Sequence, residues 1–67
     1  MNYDYGVPFL QITLTTGNIS LIRKDKIKSM YQYTDNGKII TKVFHDDTTT
    51  YQGTLEEMLK NSKTIYI

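Results

Sequence analysis

The sequence predicts a mainly β domain of the α+β class, and three observations carry that prediction. Short runs of β-branched and aromatic residues recur from Phe9 onward. Gly17-Asn18 and Asn36-Gly37 stand between such runs as hairpin-turn pairs. A helix signature, Thr54-Leu55-Glu56-Glu57, comes after the last of the strand runs bounded by turns. The expected architecture is a five-stranded antiparallel meander, strongly twisted or curled into a partial small barrel, with one short C-terminal helix over one end. A chain of 67 residues has room for one core. It reads as a single domain over 1–67: an irregular lead-in over 1–8, a sheet over 9–52 and a helix over 54–61.

Each element has its own justification. The lead-in is polar and aromatic, with Gly6 shortly before Pro8; it either drapes Tyr3 or Tyr5 over the sheet or forms a tail. Residues 9–16 alternate, with Leu10, Ile12 and Leu14 on one face and Gln11, Thr13 and Thr15 on the other. A two-residue loop at Gly17-Asn18 places Leu14 opposite Leu21, so that Leu10, Ile12, Leu14, Ile19 and Leu21 share a face. The charges of residues 23–28 break the strand, and Ile27 and Met30, three apart, suggest one helical turn returning both to the core. Residues 29–34 form the third strand, and Asn36-Gly37 is a strong type I′ signal leading into a fourth at 39–44. His45-Asp46-Asp47 reads as a solvated turn, followed by a short Thr-rich strand at 48–52. Thr54 and Glu57 make a capping box, and Leu55, Met58 and Leu59 form the apolar stripe of the helix. Residues 64–67 are β-prone and either add an edge strand or fray.

The fourth strand, Ile39-Ile40-Thr41-Lys42-Val43-Phe44, is apolar on both faces, which a half-exposed strand does not require. Two-residue loops on both sides would put Tyr33 opposite Ile40, Tyr31 opposite Lys42, and Lys42 opposite Tyr51. One face would then show Tyr31, Tyr33, Ile40, Lys42, Phe44 and Tyr51. A slip of one residue in either turn would exchange the faces. That aromatic set is either the core, with Lys42 lying along the rings, or an offered surface of the kind found at interfaces.

Composition excludes more than it assigns. There are no cysteines, so neither disulfides nor thiolate metal sites reinforce the fold; this suits a reducing cytoplasm. The net charge of +1 favours no class of partner. No apolar run reaches membrane-spanning length, and the start lacks the pattern of a signal peptide. His45 is the only histidine, and no ligand set surrounds it. Glu56 and Glu57 are adjacent on a helix and point apart, and no serine has a histidine at a meaningful spacing. Neither a phosphate loop nor a dinucleotide fingerprint is present. The expectation is therefore no enzyme, no cofactor, no metal and no small-molecule substrate.

The order Leu14-Thr15-Thr16-Gly17-Asn18, then Ile27-x-x-Met30, then a turn-bounded strand, then Thr54-Leu55-Glu56-Glu57-Met58-Leu59 resembles the small flagellar-motility FlbD-type domain. The β-rich part is also similar to the core of LytTR-type DNA-binding domains. The likeness runs over residues 9–61, and Asp46-Asp47 departs from it where such families often carry a Gly turn. The first resemblance implies a small meander with a final helix and no catalytic residues; the second implies DNA binding.

Two functional expectations follow. The first is a cytoplasmic protein-interaction domain, self-associating or bound to another protein, that uses Tyr31, Tyr33, Lys42 and Tyr51 or an open strand edge at 48–52 or 64–67. The second is a nucleic-acid-binding regulatory domain that uses Arg23, Lys24, Lys26 and Lys28, with Tyr31 and Tyr33 stacking on bases.

Overall fold

The computed structural model describes residues 6–67, so the expectation for Tyr3 and Tyr5 lies outside the described residues. The described chain is mostly β, with one short α-helix, and its strands form two three-stranded antiparallel sheets. The strands are β1 (Pro8–Thr13), β2 (Ile19–Arg23), β3 (Ser29–Asp35), β4 (Lys38–Phe44), β5 (Thr48–Gln52) and β6 (Ser62–Tyr66). The helix, α1, is Leu55–Lys60. The order is β2-β1-β6 in the first sheet and β3-β4-β5 in the second. The expected five-stranded meander is thus divided, because β2 and β3 belong to different sheets.

The C-terminal segment supplies what the first sheet needs. β1 pairs with β2 on one side and with β6 on the other. The second ladder runs on past both strand ends, through Val7 with Ile67 and from the Thr13 amide to the Asn61 carbonyl. Val7 and Pro8, expected in the lead-in, therefore lie within the sheet. A two-stranded ribbon is marginal in water, and a third strand with an apolar face makes the sheet viable.

Loop lengths set the faces. The β1–β2 connection is a three-residue loop: the Leu14 amide donates to the Asn18 carbonyl, and the Gly17 amide donates back to the Leu14 carbonyl. Gly17 has φ +94°, the left-handed position that a bulged three-residue loop requires. The expected two-residue turn would pair Leu14 with Leu21, whereas the observed register pairs Leu10 with Ile22 and Ile12 with Ser20. The odd shift turns β2 over. Ile22 becomes buried, and Ile19 and Leu21 face outward, 62% and 44% exposed.

The two sheets meet through Leu10, Ile12 and Ile22 from the first and Val43 and Tyr51 from the second, with Met58 of α1 completing the layer. Leu14, Ile27, Met30 and Leu55 pack around it. Ile27 and Met30 do return to the core, but the helical turn lies earlier, as a 3₁₀ turn at Lys24–Lys26. α1 closes one end, against β1, β4 and β6. The capping box is present in full: the Glu57 amide donates to Thr54 Oγ1 at 3.0 Å, and the Thr54 amide donates to Glu57 Oε1 at 2.9 Å. The β3–β4 hairpin runs past this core, with residues 34–39 all exposed, and the described chain measures 47 × 22 × 17 Å. No helix among the described residues is long and apolar enough to cross a membrane.

Candidate interaction site

The β3–β4 hairpin positions the site. Asn36 and Gly37 have φ +51° and +79°, as a two-residue type I′ turn requires. The register that follows pairs Tyr31 with Lys42 and Tyr33 with Ile40. Alternation then places Tyr31, Tyr33, Ile40, Lys42 and Phe44 on the outer face of the second sheet, away from the core layer.

Tyr51 is not among them. The turn after β4 spans His45, Asp46 and Asp47, one residue longer than expected, and β5 shifts by one against β4. Tyr51 lies opposite Thr41, and Thr50 takes the place opposite Lys42. The slip carries Tyr51 through the sheet into the core, where it is 3% exposed and its hydroxyl accepts from Asn61 Nδ2 at 2.9 Å. The expectation of one face shared by Tyr31, Tyr33, Lys42 and Tyr51 is corrected to the first three, with Phe44 and Ile40 as their companions.

His45 explains the longer turn. Its amide donates to the Asp47 carbonyl at 2.9 Å, and its Nε2 lies 3.0 Å from Thr49 Oγ1. Asp47 Oδ1 accepts from the Thr48 amide at 2.8 Å. Thr49 Oγ1 is also 3.3 Å from Ser20 Oγ, a polar tie from β5 to β2 of the other sheet. His45 and Asp47 are thereby engaged in shaping the loop.

On the outer face the rings hold one another. Tyr31 stacks on Phe44 with centroids 5.4 Å apart and planes at 27°, and it lies 5.9 Å from Tyr33. Lys42 Nζ stands 5.7 Å from the centroid of Tyr33, within cation–π range. Tyr31 is 50% exposed, and Tyr33, Ile40, Lys42 and Phe44 are half-buried. Toward β5 the face continues with Thr48, Thr50 and Gln52, all exposed.

The basic segment is split. Arg23 Nε is paired with Asp25 at 2.9 Å, and Lys24 Nζ donates to Thr64 Oγ1 on β6 at 2.9 Å. Lys26 and Lys28 are exposed, and the Lys28 amide donates to the Phe44 carbonyl at 2.7 Å, which brings Lys28 to one end of the aromatic face.

Sequence reasoning missed a feature beside the second sheet. A shallow apolar groove runs between β3 and α1, lined by Gln32, Leu55 and Leu59, with Glu56 and Lys60 at its rim. Gln32 Oε1 accepts from the Leu55 amide at 3.0 Å, and Leu59 is 48% exposed. The signal was available: Leu59 completes the stripe of a helix too short to bury all of it. Among the described residues no three His, Cys, Asp or Glu side chains converge as a metal site would need. No protein-family model matches the chain, and neither a curated protein nor a solved structure is significantly similar to it.

Proposed function

We propose that this chain is a small, non-enzymatic protein-interaction domain of the cytoplasm, which docks a protein partner on the outer face of β3-β4-β5. The observation that carries this reading is the half-exposed Tyr31 stacked on Phe44, beside the Tyr33–Lys42 pair, on a sheet face distinct from the core. Rings already held by their neighbours lose little freedom on binding, and tyrosine offers a large apolar body with a polar tip. The uncharged Thr48, Thr50 and Gln52 extend the face with hydrogen-bonding groups of the sort found at interface rims.

The test is a photo-crosslinking side chain at Thr50, with one at Thr13 on the outside of the other sheet as control. The expected result in cells of the source organism is one discrete protein adduct from position 50, lost in Lys42→Glu and absent from position 13. Equal adducts from both positions, or none from 50, would remove the reading.

Lys42 among the rings, with Lys28 at the Phe44 end, favours a second reading in which single-stranded nucleic acid lies on the same face. That reading expects retention on single-stranded DNA that weakens steeply with salt and is lost in the Lys28→Ala, Lys42→Ala double variant. The pairing of Arg23 with Asp25 lowers the cationic density available to it, and Lys24 is turned toward Thr64 on β6.

A further inference from the structure

We infer that β3 is a self-pairing edge, through which two copies of this chain join antiparallel about Gln32 to form a six-stranded sheet. The inference goes beyond the proposed docking of another protein and rests on the strand's edge, not on its outer face.

The hydrogen-bond geometry defines the occupant. Among the described residues β3 has one strand neighbour, β4. In a hairpin closed by a two-residue type I′ turn, the residues flanking the turn form a hydrogen-bonded pair, and such pairs alternate along the ladder. Asp35–Lys38, Tyr33–Ile40 and Tyr31–Lys42 are those pairs. The amides and carbonyls of Met30, Gln32 and Thr34 therefore point to the open side. An extended backbone satisfies such a row.

The sequence of the edge selects a second copy. Residues 30–34 read Met-Tyr-Gln-Tyr-Thr, nearly symmetric about Gln32. Antiparallel pairing about that residue sets Gln32 against Gln32 and Met30 against Thr34. It sets Tyr31 against the other copy's Tyr33, and the reverse, as close non-hydrogen-bonded pairs on the outer face. Aromatic cross-strand pairs are among the favourable ones. The strand carries no charge or proline from Ser29 to Thr34, so it lacks the usual guards of an edge. Its flanks carry opposite charges, Lys26 and Lys28 before it and Asp35 at its end. Antiparallel pairing brings Asp35 opposite Ser29 of the other copy, next to that copy's Lys28; parallel pairing would set like charges together. The groove of Gln32, Leu55 and Leu59 borders the same edge, so the joint also brings the two grooves toward each other across the axis. The other uncharged edge, β5, lacks these features and is tied to β2 through Thr49 and Ser20.

Sedimentation equilibrium of the full chain, over micromolar to millimolar concentrations, tests the pairing. The expected mass rises from 7.8 kDa toward twice that value. Asp35→Lys and Lys28→Glu should each weaken the dimer about tenfold, and combining them should restore it. Both side chains are exposed, and a far-UV spectrum confirms the fold of each variant. A mass that stays monomeric at the highest concentration would overturn the inference. So would a dimer indifferent to the charge swaps but lost in Leu21→Lys, which would place the joint on the outside of the first sheet. Neither result bears on crosslinking from Thr50, which lies at the far edge of the second sheet.

Discussion

Tyr31 and Tyr51 occupy the strands on either side of β4, and one residue of loop separates their fates. Tyr51 is enclosed, and its hydroxyl takes a hydrogen bond from Asn61, the residue at which α1 ends and the β6 ladder begins. Tyr31 leans on Phe44 with half its surface in water. Removing the Tyr51 hydroxyl breaks a part-buried hydrogen bond and leaves the Asn61 side-chain amide with its bond to the Glu57 carbonyl at 3.1 Å. Tyr51→Phe is therefore expected to destabilise by about 1 kcal/mol, and Tyr31→Phe by less than about 0.5 kcal/mol, in urea unfolding. Equal effects would contradict the assignment of one ring to the core and the other to the surface. From the sequence, β5 offers only Tyr51 as a large side chain, and either face of β4 has apolar residues to receive it. The pattern of β5 could not decide the register; the turn did.

The elements differ in how openly their chemistry is written. Asn36-Gly37 strongly favours a two-residue type I′ turn, so the pairings of Tyr31 and Tyr33 were legible in the sequence. Gly17-Asn18 and Asp46-Asp47 fit two-residue and three-residue loops alike, and the longer form prevailed at both. In the first, Gly17 takes the left-handed bulge position; in the second, His45 bonds across the loop to Asp47. Each difference is an odd shift, and each turns a strand over: β2 in one sheet and β5 in the other. The capping box of α1 was legible because its two residues act locally. The backbone and side-chain hydrogen bonds from Thr54, aided by Lys60, hold the Glu57 carboxyl below its ordinary pKa. Its folded value is lower than its unfolded value, so this stabilisation is complete above the unfolded pKa and is lost as pH falls through the folded one. Stability measured from pH 7 down to pH 3 should therefore decline through the lower carboxylate range, and Glu57→Gln should flatten that part of the decline. Thr54→Ala should cost about 1 kcal/mol at neutral pH in the same measurement.

At the scale of the molecule, neither sheet has a core of its own. Among the described residues each has three strands and one inward apolar face, and the layer between them holds Leu10, Ile12, Ile22, Val43, Tyr51 and Met58. Chain order reinforces this dependence, because β6 must return from beyond the second sheet and α1 to complete the first. Residues 64–67 alone could not have shown that, since their partner, β1, lies at the far end of the described chain. Met58 is fully enclosed on a helix that touches both sheets, through β1 and β6 in one and β4 in the other. Met58→Ala leaves a cavity at that junction and is expected to cost about 2–5 kcal/mol. For a domain of this size the whole folding free energy is on the order of 3–10 kcal/mol, so the variant should melt far below the parent. Met58→Leu, which nearly conserves volume, should lose less than about 1.5 kcal/mol. Because the two sheets share that layer, far-UV circular dichroism and tyrosine fluorescence should report one coincident transition in the parent and in Met58→Leu. Two separated transitions would mean that one sheet persists without the other, and that a common core does not hold the aromatic face of β3-β4-β5 in place.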